Sequence, residues 1–269
     1  MAQIKNQKEI EIMRQGGEIL VSILEEIVKN IKPGISTLNL NELAERLIFK
    51  AKAKPSFKGH EGYPYALCTS INNEIVHGLP SSRQLKEGDI IGIDLGVFFG
   101  GYHTDSALTV PVREIDSKKT RLIKKTYEAL ISSLPHIKEG NYISDISFSI
   151  QREIEEAGFS PVRTCTGHGI GKSLHENPVV PNFVSWRGKK LVKGIKLEKN
   201  MTLAIEPMAT FKKETPYIKK DGWTVATSED NFSAHFEYTV VVGQKGSEVL
   251  TPFRLPKFPS LEKIVKSSI

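Results

Sequence analysis

The sequence predicts an α+β fold in which two related α/β halves share one curved antiparallel sheet backed by helices. The first observation is a pair of amphipathic helical patterns near the N-terminus, which recurs after residue 111. The second is that each helical pair is followed by strand-like segments with acidic residues at matching positions. Two copies are too few for a solenoid, so a single pseudo-twofold domain is the better interpretation.

Composition and charge place the chain among ordinary globular proteins. Its 269 residues are 39% hydrophobic and 25% charged, which allows a large buried core. No stretch of the sequence approaches the roughly 18 apolar residues of a membrane span, and the N-terminus lacks a secretory signal pattern. Cys68 and Cys165 lie far apart in no metal or redox spacing, which predicts reduced thiols in the cytoplasm.

The net charge of +6 is concentrated in basic clusters at Lys118–Lys125, Arg187–Lys199, Lys212-Lys213 and Lys219-Lys220. A solvated surface is the ordinary explanation of such clusters, and docking to a polyanion such as RNA is the alternative. No RNA-binding motif with interleaved aromatic residues is present in the sequence. We therefore expect neither a primary nucleic-acid reader nor a specific DNA partner.

The first half is expected over residues 9–112 and begins with two helices. Apolar residues recur near helical spacing from Glu9 to Ile31, and Lys32-Pro33-Gly34 ends that helix. Thr37 is expected to cap a second amphipathic helix over Leu38–Ala53. A turn-rich segment with short strands follows and leads into a β-hairpin.

A hairpin is predicted from an apolar run over Ile90–Leu95, followed by Phe98-Phe99-Gly100-Gly101 and a second β-prone run over Tyr102–Pro111. If its turn is centred between Phe99 and Gly100, Asp94 lies directly opposite Asp105. Opposed side chains have Cβ atoms ~4.5–5.5 Å apart, and like charges there are destabilising. Two carboxylates at this spacing require a shared proton or a cation between them. The plainer alternative is that one aspartate caps a turn and the other faces water.

The second half is expected over residues 117–245 and repeats this order. Ser117 is expected to cap a helix that runs to Ile137, and Ser144–Ala157 forms its partner. A loop rich in glycine and histidine is expected over Thr166–His175.

The acidic residues recur at corresponding positions in the two halves. Glu206 ends a strand-like segment as Asp94 does, and Glu237 follows His-Phe as Asp105 follows His-Thr. A twofold axis between the halves would bring all four carboxylates into one pocket. Buried without partners, each would cost on the order of several kcal/mol, so cations are expected at the centre.

An oxygen-rich ligand set suits Mn, Fe(II), Co or Zn in a two-metal site, with metals ~3.5–4 Å apart. His168, between Gly167 and Gly169, is the candidate nitrogen ligand, and His77 and His175 are candidates either for orienting a metal ligand or for contacting the substrate. A lone histidine is ordinarily structural. Three histidines in turn-rich segments beside four acids favour function instead.

Gly167–Ser173 resembles a phosphate-binding loop, but its spacing is wrong. That motif needs four residues between its first glycine and Gly-Lys-Ser, whereas three are present here and Thr166 occupies the required glycine position. The sequence therefore excludes this form of nucleotide binding.

Together these motifs resemble those of the methionine aminopeptidases, in their short bacterial (type I) form, within the creatinase-like "pita-bread" superfamily of family M24. The matching segments are Lys32-Pro-Gly-Ile-Ser-Thr, Ser70–Pro80, Gly92-Ile-Asp94, His103-Thr-Asp105, Gly167–Gly171, His175–Pro178, Ile205–Met208, Asp221–Val225 and Phe236–Thr239. The resemblance implies one catalytic pita-bread domain over residues 1–252. Residues 253–269 are expected to form a loosely packed tail.

The resemblance also implies the metal ligands. Asp94 would chelate one of two divalent metals, Asp105 and Glu237 would bridge both, and His168 and Glu206 would complete the other. A metal-bridging water or hydroxide would attack the first peptide carbonyl, with Glu206 as proton acceptor.

Substrate contacts follow from the same resemblance. His175 would steady the developing oxyanion, and His77 would contact the scissile amide or the residue after it. The free amino group of the substrate would bind near Asp94, which makes the enzyme an exopeptidase. An apolar pocket for the methionine side chain would be lined by Phe57, His60, Tyr63, Cys68, Leu174 and Trp223.

Ordinary core packing is the alternative for the aromatic residues of this pocket, and it is the expectation for Tyr65. Four residues depart from those usual in the family: Phe57, His60, Leu174 and Tyr238. The ligand positions are intact, so the departures bear on the shape of the pocket and on the rate.

The implied function is removal of the initiator methionine from nascent proteins when the second residue is small. Prolidases and X-Pro aminopeptidases share the metal set but carry an extra N-terminal domain, and here only 93 residues precede Asp94. Some superfamily members are non-catalytic binding proteins that have lost ligands, whereas all five positions are filled here. The expected partners are nascent N-termini and, through the basic patches, the ribosome surface. The chain is expected to be a monomer.

Overall fold

Four long helices and a set of mostly short strands make up residues 3–253, the part of the chain that this computed structural model describes. The helices are α1 (Gln7–Lys29), α2 (Thr37–Lys50), α3 (Ser117–Ser133) and α4 (Ile143–Glu156). The strands are β1 (Lys54–Pro55), β2 (Leu67–Ile71), β3 (Glu74–Val76), β4 (Ile90–Phe99), β5 (Tyr102–Pro111), β6 (Ser160–Pro161), β7 (Thr166–Gly169), β8 (Glu176–Pro181), β9 (Trp186–Arg187), β10 (Lys190–Leu191), β11 (Thr202–Ile205), β12 (Met208–Thr210), β13 (Tyr217–Ile218), β14 (Val225–Ala226), β15 (Ser233–His235), β16 (Tyr238–Val242) and β17 (Ser247–Val249).

The helix caps lie one residue before the predicted ones. Ser36, not Thr37, caps α2, because Ser36 Oγ accepts the third backbone N–H of the helix at 3.2 Å. Asp116, not Ser117, caps α3, because its carboxylate accepts the N–H three residues further on at 2.8 Å. In both cases an equally good capping residue immediately precedes the predicted one, and spacing alone could not choose between them.

Two predicted boundaries lie elsewhere. Helix α3 ends at Ser133 rather than Ile137, because Pro135 has no backbone N–H and the chain tightens into a short 3₁₀ turn. Phe253, predicted to begin the loose tail, is instead buried in the main hydrophobic core. The rest of the predicted tail, residues 254–269, lies outside the described residues.

Strands β4 and β5 form the predicted hairpin with a register shifted by two residues. The turn is residues 100–101, two glycines with φ of 58° and 94°, which suits a two-residue hairpin turn. Asp94 therefore pairs with Ala107 and Asp105 with Gly96, so the aspartates are not directly opposed as predicted. A shift of two preserves the face of each side chain, so the aspartates remain diagonal neighbours on one face.

The two halves meet edge to edge, but their strands form separate antiparallel sheets rather than the one shared sheet that the sequence predicted. In the first half, β4 pairs with β5 on one edge and with β2 and β1 on the other. In the second half, the strand order is β17-β16-β11-β7-β8. Where β5 meets β16, the backbone N–H of Glu237 donates to the carbonyl of Ala107 at 2.8 Å. Nearby, Ser106 Oγ donates to the carbonyl of Glu237 at 2.7 Å, and Thr239 Oγ1 donates to that of Asp105 at 2.7 Å.

Helices cover one side of these sheets, and one hydrophobic core lies between the two layers. The apolar residues of α1 and α3 recur at helical spacing and face this core, as the sequence predicted. Among residues 3–253, no helix is both long and apolar enough to cross a bilayer.

Candidate active site

One cleft contains every side chain that the sequence predicted for the site. Its lining residues are Phe57, His60, Glu61, Tyr63, Cys68, His77, Asp94, Asp105, His168, Leu174, His175, Glu206, Trp223 and Glu237. The acidic ligand candidates lie at its buried end, whereas His77 and His175 are exposed at its mouth. Glu61 is the one lining residue that the sequence did not indicate, because a single exposed acid beside a turn carries no spacing signal.

The four acids converge because each half delivers two of them to the junction of the sheets. Asp94 lies within β4 and Asp105 within β5. The ladder between β11 and β16 ends with Ile205 opposite Tyr238, so Glu206 and Glu237 leave the two strands side by side. The four acids that the sequence matched between the halves thus meet at one junction, Asp94 and Asp105 from within strands and Glu206 and Glu237 from just beyond the ends of theirs.

Burial raises the pKa of all four acids, and the charge of Asp105 raises the pKa of the other three further. The pKa of Asp105 is raised from its ordinary value of 3.8 to about 7, chiefly by burial. The pKa values of Asp94, Glu206 and Glu237 are raised well above their ordinary values, first by burial and then by the Asp105 charge. Four carboxylates in so small a volume cannot all be ionised without positive charge among them.

The donor atoms fit divalent cations. One ligand atom each from Asp105, His168 and Glu237 lie within 4.8 Å of one another. Within residues 3–253, Asp94 Oδ1, Asp105 Oδ1 and Glu237 Oε1 are buried without any hydrogen-bond partner. Buried carboxylate oxygens are rarely left without partners, and carboxylate with imidazole is a usual ligand set for first-row divalent metals.

His168 lies on strand β7, whereas the sequence predicted a loop there. The strand pairs with β11 on one side and β8 on the other, which fixes the position of the imidazole against Glu206. His168 Nδ1 lies 2.8 Å from the carbonyl of Gly169, and a carbonyl only accepts, so Nδ1 carries the hydrogen. Burial lowers the pKa of His168 to about 3, which leaves Nε2 unprotonated and able to bind a metal.

Two glycines around His168 are required by the packing of β7 between its neighbours. A Cβ at Gly167 would lie 2.4 Å from the carbonyl oxygen of Ala204, and one at Gly169 would lie 2.2 Å from that of Asn177. The glycine-rich pattern that resembled a phosphate loop therefore allows close backbone approach within the sheet.

His235 is a neighbour of the acids that the sequence did not single out. Its Nε2 lies 3.6 Å from Glu206 Oε2, and His168 Nε2 lies 3.6 Å from Glu206 Oε1. Burial lowers the pKa of His235 to about 3, so its imidazole is neutral beside the acids. The only signal for it was the echo between His235-Phe-Glu237 and His103-Thr-Asp105. His103 differs, because its Nδ1 is 2.9 Å from Ser56 Oγ.

An apolar wall adjoins the acids. Cys68 is directly opposite Asp94 in the ladder between β2 and β4, so the apolar and acidic parts of the cleft are neighbours. The ring of Tyr63 meets those of Phe57 and Trp223 edge-on, with centroids 6.5 and 5.1 Å away. Leu174 is buried against this group. These contacts make an apolar slot beside the acids.

The sequence also made predictions for two tyrosines, Tyr65 and Tyr238. Tyr65 does not line the cleft, in agreement with its predicted role in packing. Tyr238 follows Glu237 and faces the opposite side of the sheet, where its ring lies 4.7 Å from that of Phe253. The departure at Tyr238 therefore affects the core and leaves the cleft unchanged.

The chain was compared with known proteins and solved structures. The model of metallopeptidase family M24 matches residues 11–244. The chain is 44% identical over 247 residues to methionine aminopeptidase 1 of Bacillus subtilis, covering 92% of this chain and 98% of that protein. It is 45% identical over 250 residues to the methionine aminopeptidase of Clostridium acetobutylicum, with the same shares of 92% and 98%.

Solved structures of methionine aminopeptidases are also similar to this chain. The structure of methionine aminopeptidase from Thermotoga maritima has a TM-score of 0.89 and 39% identity, covering 93% of this chain and 99% of that one. Prolidase from Pyrococcus furiosus is similar in fold alone, with a TM-score of 0.76 and 21% identity. This chain covers 66% of the prolidase, and the match takes in 94% of the chain.

Proposed function

This chain belongs to the methionine aminopeptidases of metallopeptidase family M24, and from that premise we propose how its cleft works. It is a metal-dependent aminopeptidase that removes the N-terminal methionine from polypeptides. We propose that its substrates are nascent proteins whose second residue is small. The observation that carries the proposal is one cleft that joins five potential metal ligands to an apolar slot.

We propose that two divalent metals bind at the acidic end. Asp94 would hold one, Asp105 and Glu237 would bridge both, and His168 and Glu206 would complete the second. The unpartnered carboxylate oxygens and the unprotonated Nε2 of His168 support this set. When bound, the metals supply polarisation of the peptide carbonyl and activation of a water molecule. Mn, Fe, Co and Zn all tolerate these ligands.

The protein side chains then have distinct tasks. Glu206 accepts the proton of the attacking water, a task suited to a carboxylate whose pKa is raised by burial and by Asp105. His175 donates to the oxyanion that develops on the carbonyl, and a single such donor is worth roughly 10²–10³ in rate. His77, also at the cleft mouth, contacts the scissile amide.

Selectivity follows from the two ends of the cleft. The methionine side chain occupies the slot between Tyr63, Trp223 and the neighbouring apolar residues. The substrate's amino group lies near Asp94, which limits cleavage to the first peptide bond. His60, whose Nε2 lies 3.3 Å from His175 Nδ1, narrows the mouth, and we assign the preference for a small second residue to this crowding.

The first test is turnover by protein that has been stripped with a chelator and reloaded with Mn(II), Fe(II), Co(II) or Zn(II). Metal-dependent release of methionine from Met-Ala-Ser, with no cleavage of Ala-Pro-Ala, is the expected result. Cleavage of Ala-Pro-Ala alone would move the chain to the proline-specific branch of the superfamily. Metal binding with no turnover of either peptide would favour a binding protein.

We further propose that the chain acts as a monomer in the cytoplasm and docks to the ribosome surface. The segment Arg187–Lys199, which includes strand β10, carries six basic residues and one acid and is almost wholly exposed. Trp186 beside it is 62% exposed. Co-sedimentation with ribosomes that weakens as salt rises is expected, and salt-independent or absent association would reject the docking.

A further inference from the structure

A buried ion pair ties the N-terminal segment to the loop before β8. Lys5 Nζ lies 2.5 Å from Glu176 Oε2, and the two side chains are only 3% and 4% exposed. The backbone of this segment is itself fixed, because the N–H of Lys5 donates to the carbonyl of Asn200 at 3.1 Å. Ion pairs at the surface contribute little to the stability of a protein. Removing one partner of a buried pair strongly destabilises the protein, because the other charge is left buried without a partner.

The loop held by this pair carries two residues of the cleft, Leu174 and His175. Glu176 Oε1 also accepts the backbone N–H of Ser173 at 3.2 Å, so one carboxylate fixes both ends of the Ser173–Glu176 turn. Gly171 leaves room for the pair, because a Cβ there would lie 2.4 Å from Lys5 Cε and 2.7 Å from Glu176 Oε1. The space occupied by Lys5 and Glu176 therefore explains why residue 171, the last glycine of the glycine-histidine motif (Gly167–Gly171), has no side chain.

A second contact joins the same two parts of the chain. The hydroxyl of Tyr102 donates to Glu9 Oε1 at 2.6 Å, and Lys172 Nζ lies 3.6 Å from the same oxygen. The carbonyl of Gly171 also accepts the backbone N–H of His103 at 2.7 Å. Lys172 is exposed, so its ion pair contributes little, but the N-terminal segment contacts the loop at two points, through Lys5 and through Glu9 of α1.

We propose that Lys5 is a positioning residue for the peptidase reaction, which through its buried pair with Glu176 holds His175 in place at the cleft mouth. The inference rests on the proposed function, because it takes His175 to donate to the oxyanion. Without the ammonium, the Glu176 carboxylate must take up a proton or turn toward solvent. Either change shifts His175, which is adjacent to Glu176 in the sequence. A misplacement of about 1 Å at a reacting group can cost roughly 100-fold in rate.

The test compares Lys5→Met with Lys8→Met, an exposed lysine on the same segment. We expect Lys5→Met to lower kcat for Met-Ala-Ser on the order of 10- to 100-fold, with a much smaller change in KM, since most of the methionine slot lies outside this loop. Lys8→Met is expected to behave as the wild type. An unchanged kcat in Lys5→Met would overturn the proposal.

A second background separates positioning from general damage. In a His175→Ala protein, adding Lys5→Met should cause little further loss, because the group through which Lys5 acts is already absent. An equal loss in both backgrounds would assign Lys5 a purely structural role and reject the proposal. Should Lys5→Met fail to fold, Glu176→Gln carries the same test, since it keeps the shape and the acceptor for Ser173 while removing the ion pair.

Wild-type turnover distinguishes this inference from the function it rests on. No turnover by metal-loaded wild-type protein rejects the proposed function itself. Normal wild-type turnover together with a normal kcat in both Lys5→Met and Glu176→Gln rejects only the role of Lys5.

Discussion

The imidazole of His235 lies 3.6 Å from Glu206, measured from Nε2 to the carboxylate oxygen that does not face His168. His235 is 3% exposed and neutral, because burial lowers its pKa to about 3. A neutral imidazole offers one N–H donor, and Glu206 has a second oxygen to be oriented. At this distance Nε2 makes no hydrogen bond to Glu206, but an N–H donor there is placed to orient the carboxylate in its proposed roles of metal ligand and proton acceptor.

The corresponding prediction is that His235→Leu weakens metal binding by about 10- to 100-fold, the usual cost of losing a group that orients a ligand. His235→Gln keeps an N–H donor on a side chain of similar length, so its metal affinity should fall much less. Calorimetric titration of the chelator-stripped proteins with Mn(II) measures both. Equal affinities for Leu and Gln variants would mean that His235 only fills space.

Replacing Asp105 by Asn should abolish turnover and change stability in two directions. The metal-bound state would lose the carboxylate that we propose bridges the metals, so activity should fall to background. The metal-free state loses one of four crowded acids, so its melting temperature should rise by a few degrees, since about 1 kcal/mol corresponds to ~2–4 °C in a domain of this size. Thermal melts with and without Mn(II) measure both effects. Near-normal turnover in this variant would contradict the assigned bridge.

The metal-free protein should lose stability as pH rises. The pKa of Asp105 is about 7 in the folded state, above its ordinary value of 3.8. The folded state therefore binds the proton more tightly, and this contribution is fully present below pH 3.8 and lost as pH rises through about 7. Metal affinity should rise over the same range, because binding displaces protons.

The clean measurement of this effect is the difference in unfolding free energy between wild type and Asp105→Asn across pH 4 to 8, both metal-free. The subtraction removes the opposing contribution of acids with lowered pKa values, such as Glu9 and Asp221. The free energy of unfolding of the wild type should fall relative to that of Asp105→Asn as pH rises. A flat difference would show that Asp105 titrates normally.

The sequence predicted which side chains line one cleft better than it predicted the local geometry around them. The matched acids of the two halves follow from a hydrophobic pattern repeated along the chain, and such a pattern survives small errors of register. The hairpin shows why, since moving the turn by one residue shifted the pairing by two and left Asp94 and Asp105 on the same face. Helix caps were misplaced by one residue, where two capping side chains stand in succession.

Contacts between distant segments that the internal repeat does not relate could not be read from the sequence. His235 reaches Glu206 because β15 pairs with β12, and Lys5 reaches Glu176 across nearly the whole chain. No local spacing connects such residues. The same holds for Phe253, whose place in the core depends on aromatic neighbours that lie on other elements.

Phe57 should limit the size of the side chain that the slot accepts. Its ring lies so close to β4 that a Cβ at Gly96 would approach Phe57 Cε1 to 2.7 Å, so the ring closes that side of the slot. We expect Phe57→Cys to raise kcat/KM for Phe-Ala-Ser relative to Met-Ala-Ser by roughly tenfold, the scale of a pocket change worth about 1–3 kcal/mol. Tyr65→Phe, outside the cleft, is the control, and an unchanged ratio in Phe57→Cys would place the size limit elsewhere.

Gly169 should be the least tolerant glycine of the glycine-histidine motif. A Cβ there would lie 2.2 Å from the carbonyl oxygen of Asn177 and 2.7 Å from its carbon, both of them backbone atoms that cannot turn aside. Strands β7 and β8 would have to separate, and His168, the preceding residue, would move with them. We expect Gly169→Ala to lower the free energy of unfolding by about 1–3 kcal/mol or more and to weaken Mn(II) binding.

Gly246 is the matched control for this substitution, because a Cβ there would have no neighbour within 4 Å. Gly246→Ala should change the free energy of unfolding by no more than about 0.5 kcal/mol and leave Mn(II) binding intact. Urea denaturation and metal titration of the two variants give the comparison. If Gly169→Ala were as stable as Gly246→Ala and bound Mn(II) equally well, the close approach of β7 to β8 would not be what positions His168.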